Sequence, residues 1–511
     1  MGRSKQLFLL FPVLLAGLAL AGFSCGKEPG GQAGQWVTIL HTNDMHGKYL
    51  ATPAGWIDGN PPIGGFAAAN FYVDRERREV ERSLLLDAGD FMTGNPICDL
   101  EYDGVQGGGM VAFMNLLGYD AVCLGNHDFD HKRKVTSQLI AMAEMPILLA
   151  NVFDESGRFF TGKGYEVFTL GDVRVGVIGL LMESLPGYLR AGSVDGLRIE
   201  PELAAIERIL DEVDARTDLI ILLTHVGVDA DEVMAEALEG RVDVIVGGHS
   251  HTRIEEPVRR HRIVICQAGA NNRYLGRLDV LVAGDSVASY RGQLIPMWRS
   301  EAEPDPRVAI LAKQFDQQID ELYGEVIAEL KTDWFRSSEG ESNLGSWIAD
   351  RMREVAGADV AVLNSGGIRK SLRQGWIKVL DIQEILPFDN VLVRFECTGK
   401  DLLALVRENA RAAVGGGGIL QVSGIRYCWR RAPSGEAVVE RVEVGGVPVR
   451  GDRMYVVASL DYTAAHWDRY FGFEPRNVES LGVTVTQAIT DAVREAAVIE
   501  SVVDGRMEEM R

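Results

Sequence analysis

The sequence predicts a two-part α/β protein: a strand-rich amino-terminal domain, a connecting helix and a mixed α/β carboxy-terminal domain. Three observations carry this prediction. Five short Val/Ile/Leu-rich runs in the first half each end in a motif of Asp, Asn or His. An acidic, proline-containing break at Ser300–Pro306 is followed by apolar residues at helical spacing. Beyond it, helical and strand-like patterns alternate to the end. A length of 511 residues fits two large domains or about three ordinary ones.

The first segment, residues 1–34, reads as a targeting signal and tether. Arg3 and Lys5 give it a basic start. Leu7–Ala21 is an apolar core too short to cross a membrane comfortably, and it ends in small residues. Cys25 then precedes the polar, glycine-rich stretch Gly26–Gly34. This pattern resembles a bacterial lipoprotein signal, which implies a lipidated Cys25 and an exported protein anchored to a membrane. Gly22-Phe23-Ser24 stands where such signals carry a Leu-Ala-Gly type of box. Ordinary cleavage to a soluble exported protein is therefore the alternative.

A hydrophobic content of 46% is ample for buried cores. The net charge of −21 argues against a nucleic-acid polymer as partner, because such binding needs a basic face. A single nucleotide is not excluded, since one phosphate needs only a small cationic pocket. Besides Cys25 there are five cysteines, at 98, 123, 266, 397 and 428. An odd number leaves at least one unpaired within the chain. No Cys-x-x-Cys occurs, so a cysteine-based zinc site is not expected. Cys123 lies inside an apolar run and reads as a small hydrophobe.

The amino-terminal domain is expected over residues 35–299. Val37–Leu40 leads into Asp44-Met45-His46, Leu84–Leu86 into Gly89-Asp90, and Ala121–Leu124 into Gly125-Asn126-His127-Asp128. Leu219–Leu223 leads into His225, and Val242–Val246 into Gly248-His249-Ser250-His251. Such runs look like strands buried on both faces. Loops at the carboxyl ends of strands in one sheet lie near one another, however far apart in sequence. Glycines at 47, 89, 94, 125, 247 and 248 are expected to permit close backbone approach and positive φ. The inventory is two Asp, one Asn and four His, namely Asp44, Asp90, Asn126, His46, His225, His249 and His251, with His127 left over. Imidazole and carboxylate suit two divalent ions such as Zn, Mn or Fe. Paired ions about 3.5–4 Å apart clamp both ends of an in-line displacement.

The order Asp-x-His, Gly-Asp, Gly-Asn-His-Asp, His, Gly-His-x-His resembles the signature of the calcineurin-like metallophosphoesterases. Ile39–His46 and Leu124–Asp130 resemble the bacterial periplasmic 5′-nucleotidases, also called UDP-sugar hydrolases. Asn364–Arg369 and Leu386-Pro387-Phe388-Asp389-Asn390 resemble segments of that family's carboxy-terminal domain. The likeness covers about residues 36–490. It implies a metallophosphoesterase β-sandwich flanked by helices, then a nucleotide-binding α/β domain. It also implies that Asp44, His46, Asp90 and His251 hold one metal, and Asp90, Asn126, His225 and His249 the other, with Asp90 bridging. His127 would face the phosphoryl group with Asp130 as its partner; Asp128 has a lesser claim to that place.

Residues 300–330 are expected to form the connecting helix, with Ile310, Leu311, Phe315, Ile319 and Leu322 at helical spacing. The resemblance implies that a helix here carries a domain rotation. An amphipathic helix packed on one domain reads equally well. Residues 331–511 form the second domain. Helices are expected at Ser342–Ala356, Asp381–Leu386 and Leu402–Ala413, and strands at Ala361–Leu363, Asn390–Cys397 and Ile419–Cys428. Gly415–Gly418 lacks a Gly-Lys-Ser/Thr ending and reads as a flexible loop, not a phosphate loop. By resemblance, Arg336, Asn364 and Arg369 contact ribose, phosphate or base, Phe388 and Tyr462 sandwich the base, and Asp468 contacts ribose. His466-Trp467-Asp468-Arg469 replaces a flexible, glycine-rich loop of the family.

These readings converge on a di-metal phosphoester hydrolase. Two cations lower the pKa of a bound water to near 7, and the resulting hydroxide attacks phosphorus. His127 and Asn126 stabilise the growing charge, with His127 also serving the leaving oxygen. The expected substrate is a nucleoside monophosphate, a nucleotide sugar or a cyclic nucleotide. The alternatives are a sulfur-compound thiohydrolase with the same metal residues and a non-catalytic nucleotide-binding lipoprotein.

Overall fold

Gln35–Thr42 opens the fold at the centre of a five-stranded sheet. A computed structural model describes residues 34–416 and 418–510. Cys25 and the segment before the tether's last residue lie outside the described residues. In the first sheet, Gln35–Thr42 pairs in parallel with Ser83–Asp87, which pairs in parallel with Ala121–Val122. On its other side run Tyr274–Val282 and Val287–Pro296, both antiparallel. A six-stranded sheet has the order Val258–Arg260, Ile263–Cys266, Val244–Gly247, Leu219–His225, Val173–Leu181, Tyr165–Leu170. Its four middle strands are parallel.

Side-chain alternation explains why the two sheets form a sandwich. Ile221 and Leu223 share one buried core with Ile39 and Leu86 of the first sheet. Their neighbours Ile220 and Leu222 point the other way, into a core with Ile206, Leu210 and Met234 from the helices Glu202–Asp214 and Val228–Ala237. A strand covered on both faces must be apolar at every position, which is why these runs lack a polar alternate. Both faces being covered, the free ends of the strands are where polar residues gather.

The second half is built on a five-stranded sheet, Leu420–Ser423, Val360–Asn364, Met454–Leu460, Val391–Thr398, Arg476–Thr484. Ala361 and Leu363 pack on one side with the helices Asn343–Ala356 and Val485–Ala496. Val360 and Val362 pack on the other with the helix Gly399–Gly415. The expected strand Ile419–Cys428 is divided. Gly424 has φ of 74°, and the chain leaves the five-stranded sheet there to begin Ile425–Arg431 in a separate four-stranded one. The described cysteines, Cys98, Cys123, Cys266, Cys397 and Cys428, are all buried free thiols.

The connecting helix is shorter than expected. It spans Pro306–Tyr323, capped by the Asp305 side chain on the Arg307 amide. Gly324 ends it, and Val326–Leu330 is a strand paired with Gly375–Lys378. Its buried stripe is Val308, Leu311, Ala312, Phe315 and Ile319, which belong to the amino-terminal core. Ile310 and Leu322 are 67% and 59% exposed. Apolar residues at helical spacing fell on both sides of the stripe, and packing chose only one.

Candidate metal centre and substrate cavity

The predicted ligands converge. Each sits at the end of a buried strand or on the turn that follows it, and the first turns are tied to one another through the backbone. The amides of Asp44, His46 and Gly47 donate to the carbonyls of Gly89, Asp90 and Phe91. The buried Asp128 carboxylate accepts from the amides of Asp90, Met92 and Gly125, at 2.9, 3.0 and 2.7 Å. The His127 amide donates to Asp90 Oδ1 at 2.7 Å.

The ligands themselves take the strained backbone. Asp44, His46, Asp90, His249 and His251 have φ of 50°, 49°, 58°, 74° and 55°. Such left-handed conformations cost about 1–3 kcal/mol each for residues with a Cβ, and they gather at functional sites. Of the glycines expected to take positive φ, Gly47, Gly89 and Gly94 do; Gly125, Gly247 and Gly248 do not. Gly125 serves close approach instead. A Cβ there would overlap Asp90 Oδ1.

Two groups of donors are placed to hold cations: Asp44, His46 and His251, and Asp44, Asp90 and His225. Asp44 is common to both, where the resemblance implied Asp90. His46 Nε2 lies 2.9 Å from His251 Nε2, and His251 Nε2 lies 3.1 Å from Asp44 Oδ1. Asp44 Oδ1 and His225 Nε2 are buried without a hydrogen bond of good geometry, and His225 Nε2 lies 3.2 Å from Asp90 Oδ2. Nitrogen lone pairs and an unpaired carboxylate oxygen facing one another in a dry site repel unless a cation lies among them. The other nitrogens are fixed: His225 Nδ1 donates to the Ala88 carbonyl at 2.6 Å, and His46 Nδ1 to that of Thr93 at 3.1 Å. This outer bonding sets the tautomer that turns Nε2 inward. The residues present fit two divalent ions. Asn126 Oδ1 meets His249 Nδ1 at 3.0 Å, which brings these two expected ligands together.

The imidazoles of the metal-free site divide electrostatically. Burial depresses the pKa of His46, reinforced by Arg369, and burial with His225 holds His249 at about 4, so both imidazoles are neutral. His225 departs from this: burial opposes its charge, but Asp90 and Asp44 outweigh burial and raise it to about 10. His127 is likewise raised. Burial works against the charged form, and Asp130 with Asp90 overcome it. Asp130 Oδ2 bonds His127 Nδ1 at 2.8 Å and also accepts from Thr93 Oγ1. Asp130, and not Asp128, is thus the partner of His127.

A cavity of about 310 Å³ adjoins the ligands. His127, Asn126, His249 and His251 line it on one side, and Asn364, Arg369, Phe388 and Tyr462 from the carboxy-terminal half on the other. Arg369 Nη2 reaches 3.3 Å from His46 Nε2, and the Phe388 ring lies 5.5 Å from that of His127. Arg336 donates to the Ile368 carbonyl at 2.7 Å and is close enough to Arg369 for mutual repulsion; burial and this repulsion lower the pKa of Arg369. Arg336, expected to contact substrate, does not line the cavity; it stands behind Arg369, whose guanidinium favours an anion there. Asp468 is not brought to the cavity. It is exposed on the short helix Trp467–Tyr470, and Arg469 and Tyr470 line the cavity in its place. Successive helical positions point about 100° apart, so one residue of offset moves a side chain off the wall. Tyr188 was missed by sequence reasoning. It stacks edge-on to His249 at 5.3 Å and carries the Arg469 guanidinium over its ring at 4.9 Å, yet it stands in a turn with no motif around it.

The calcineurin-like phosphoesterase family model matches residues 37–253, and that of the 5′-nucleotidase C-terminal domain matches residues 326–474. The chain belongs to the 5′-nucleotidase family of calcineurin-like phosphoesterases. A 5′-nucleotidase from Vibrio vulnificus is 28% identical over 530 residues, covering 91% of this chain and 92% of the relative. The crystal structure of a 5′-nucleotidase precursor from Thermus thermophilus superposes with a TM-score of 0.83 at 28% identity, covering 93% of this chain and 99% of that one. The sulfate thiohydrolase SoxB of the same organism, in complex with glycerol, shares the fold: TM-score 0.77, 19% identity, 95% of this chain and 98% of that one. The protein is a phosphoester hydrolase whose cofactors are two divalent metal ions.

Asp90→Asn is expected to abolish turnover and lower metal content, because a neutral amide cannot supply the same charge between cations. Metal analysis and kcat of the purified variant check this; normal values of both would remove Asp90 from the ligand set. His127→Asn is expected to lower kcat by about 10²–10⁴ with both metals retained. Metal loss in that variant would make His127 a ligand instead.

Proposed function

We propose that the protein is an exported 5′-nucleotidase-type hydrolase of a nucleoside monophosphate, a nucleotide sugar or a cyclic nucleotide, which releases nucleoside and phosphate at the monophosphate step. The observation that carries this reading is the meeting of Arg369 and Phe388 with His127 in one cavity, with His46 next to Arg369. A phosphate-reading cation and an aromatic the width of a base stand beside the donors for two metals. When bound, the two ions supply Lewis acidity and an activated water. Arg369 pairs the phosphoryl oxygens through its planar fork and orients them for in-line attack. The Asn126 amide supplies a further dipole to the equatorial oxygens. His127, protonated and held on Nδ1 by Asp130, donates from Nε2 to the leaving oxygen. Phe388 and Tyr462 hold the base, and Asn364, whose buried Oδ1 lacks a partner, hydrogen-bonds the nucleoside or phosphate.

We further assign the metal domain to residues 35–299 and the substrate-binding domain to 331–511. Export follows from the basic and apolar start of the chain, with anchoring through lipid on Cys25. No helix among the described residues is long and apolar enough to cross a membrane. The thiohydrolase remains a second reading because Asp468 lies off the cavity and Arg469 lines it, so a ribose contact is missing. A non-catalytic binding role is not kept, since every ligand position carries a donor.

A nucleotide panel with and without chelator tests the reading. Phe388→Ala and Tyr462→Ala are expected to raise KM for nucleotides, a base–aromatic stack being worth roughly 1–3 kcal/mol. Because such binding is largely uniform between ground and transition states, kcat falls less. A small aryl phosphodiester without a base keeps its wild-type rate. Equal losses on both substrates would make these rings structural; no change on either would point to a substrate without a nucleobase. Mass spectrometry of the mature protein is expected to show acylation at Cys25, and an unmodified terminus at another residue would replace the anchor by simple cleavage.

A further inference from the structure

One buried carboxylate outside the metal site connects the two halves of the cavity. Glu384 lies in the helix Val379–Ile385 of the carboxy-terminal half. Its Oε1 accepts from Lys48 Nζ and from Asn95 Nδ2 of the amino-terminal half, each at 2.9 Å. Its Oε2 accepts from Lys370 Nζ at 2.6 Å. The side chains of Lys48 and Glu384 are only 14% and 12% exposed.

We propose that Glu384 is a positioning residue whose carboxylate clamps Lys48 to Lys370 and so holds the Arg369 guanidinium at the metal ligands. The connection forms a closed ring. Lys48 follows His46 by two residues, and its Nζ also donates to the Gly94 carbonyl at 2.9 Å, beside Thr93 and Asn95. Lys370 follows Arg369 directly, and it is held on Asp381 as well, at 2.9 Å. The Arg369 amide donates to the Ile385 carbonyl at 2.8 Å, one residue beyond Glu384. Arg369 Nη2 then closes the ring on His46. Every link but the last, where Arg369 Nη2 faces the His46 nitrogen assigned to a metal, is covalent neighbourhood or a hydrogen bond, so Arg369 has little freedom to leave the metal site while Glu384 stays docked.

Magnitude separates this contact from the other ion pairs between the halves, of which Lys378 and Asp320 are 44% and 68% exposed. Arg190 and Asp461 are 42% and 29% exposed, and water screens such a pair. The Glu384 cluster is shielded, and removal of its anion leaves two ammonium groups facing each other across the interface. Burial disfavours the Glu384 anion, but Lys48 and Lys370 outweigh it and hold its carboxyl at about 2. The Glu384 carboxyl is therefore charged at neutral pH.

The role rests on the reading of Arg369 as the phosphoryl-binding cation, and the experiment separates the two. Inorganic phosphate is titrated calorimetrically into the metal-loaded protein, and hydrogen exchange of residues 366–372 is followed in the metal-free protein. Glu384→Gln is expected to weaken phosphate binding roughly tenfold or more and to speed exchange of the segment. In the Arg369→Ala background, adding Glu384→Gln should change phosphate affinity less than about twofold, because the two act as one unit. Lys48→Met with Glu384→Leu replaces the pair by apolar side chains, and it is expected to fold and to show the same loss. This double variant decides the matter if Glu384→Gln does not fold. Multiplicative losses in the Arg369→Ala background, or wild-type affinity in Glu384→Gln, overturn the proposal. If wild-type protein binds phosphate but hydrolyses no nucleotide, the functional reading falls while the clamp is still judged by phosphate affinity and exchange.

Discussion

The metal site depends on one buried carboxylate that touches no metal. Asp128 accepts three backbone amides from the turns after two neighbouring strands. Those turns must hold Asp90 in a left-handed conformation and keep Gly125 against its carboxylate. Without the brace, the strain would relax and the ligand atoms would drift apart. Burial and the Asp90 charge push the Asp128 pKa up to about 7, while its backbone amides pull the other way. The brace thus accepts an electrostatic penalty so that geometry is fixed before any ion arrives. That is the preorganisation a metal site requires.

Charge is distributed to the same end. The chain carries a net −21, yet the carboxy-terminal wall of the cavity presents Arg369 with Arg336 behind it. Opposite stand carboxylates that two divalent ions would more than neutralise. An anion entering between ions and guanidinium groups meets positive charge on both sides, while the surface beyond stays acidic. Aromatic rings at Phe388, Tyr462 and Tyr188 line this space, and an apolar lining lowers the local dielectric and strengthens each of these attractions.

How much of this was legible in the sequence depends on distance along the chain. Asp44, Asp90, Asn126, His225 and His249 could be found because each follows an apolar run, and the carboxyl ends of parallel strands share one edge. The Ile310 and Leu322 positions misled because spacing alone does not say which flank of a helix meets the core. The break at Gly424 was hidden because apolar residues recur on both sides of it, at Leu420, Val422, Ile425 and Tyr427, as they would in one unbroken strand. Asp468 was placed by resemblance, and a helical turn with bulky residues rotated it away, leaving Arg469 on the wall. Glu384 carried no local signal at all: its partner Lys48 is 336 residues away.

The helix Pro306–Tyr323 has a mechanical consequence. Its apolar stripe is buried in the amino-terminal core, so it travels with that half as a rigid strut about 27 Å long. The strand Val326–Leu330 already belongs to the other half. The chain therefore crosses once, through Gly324 and Glu325, with about two soft dihedrals at each residue. Apart from this crossing the two halves meet through side chains, among them Lys48 with Glu384, Arg190 with Asp461 and Asp320 with Lys378, so the walls of the cavity are registered by polar contacts and not by a shared backbone.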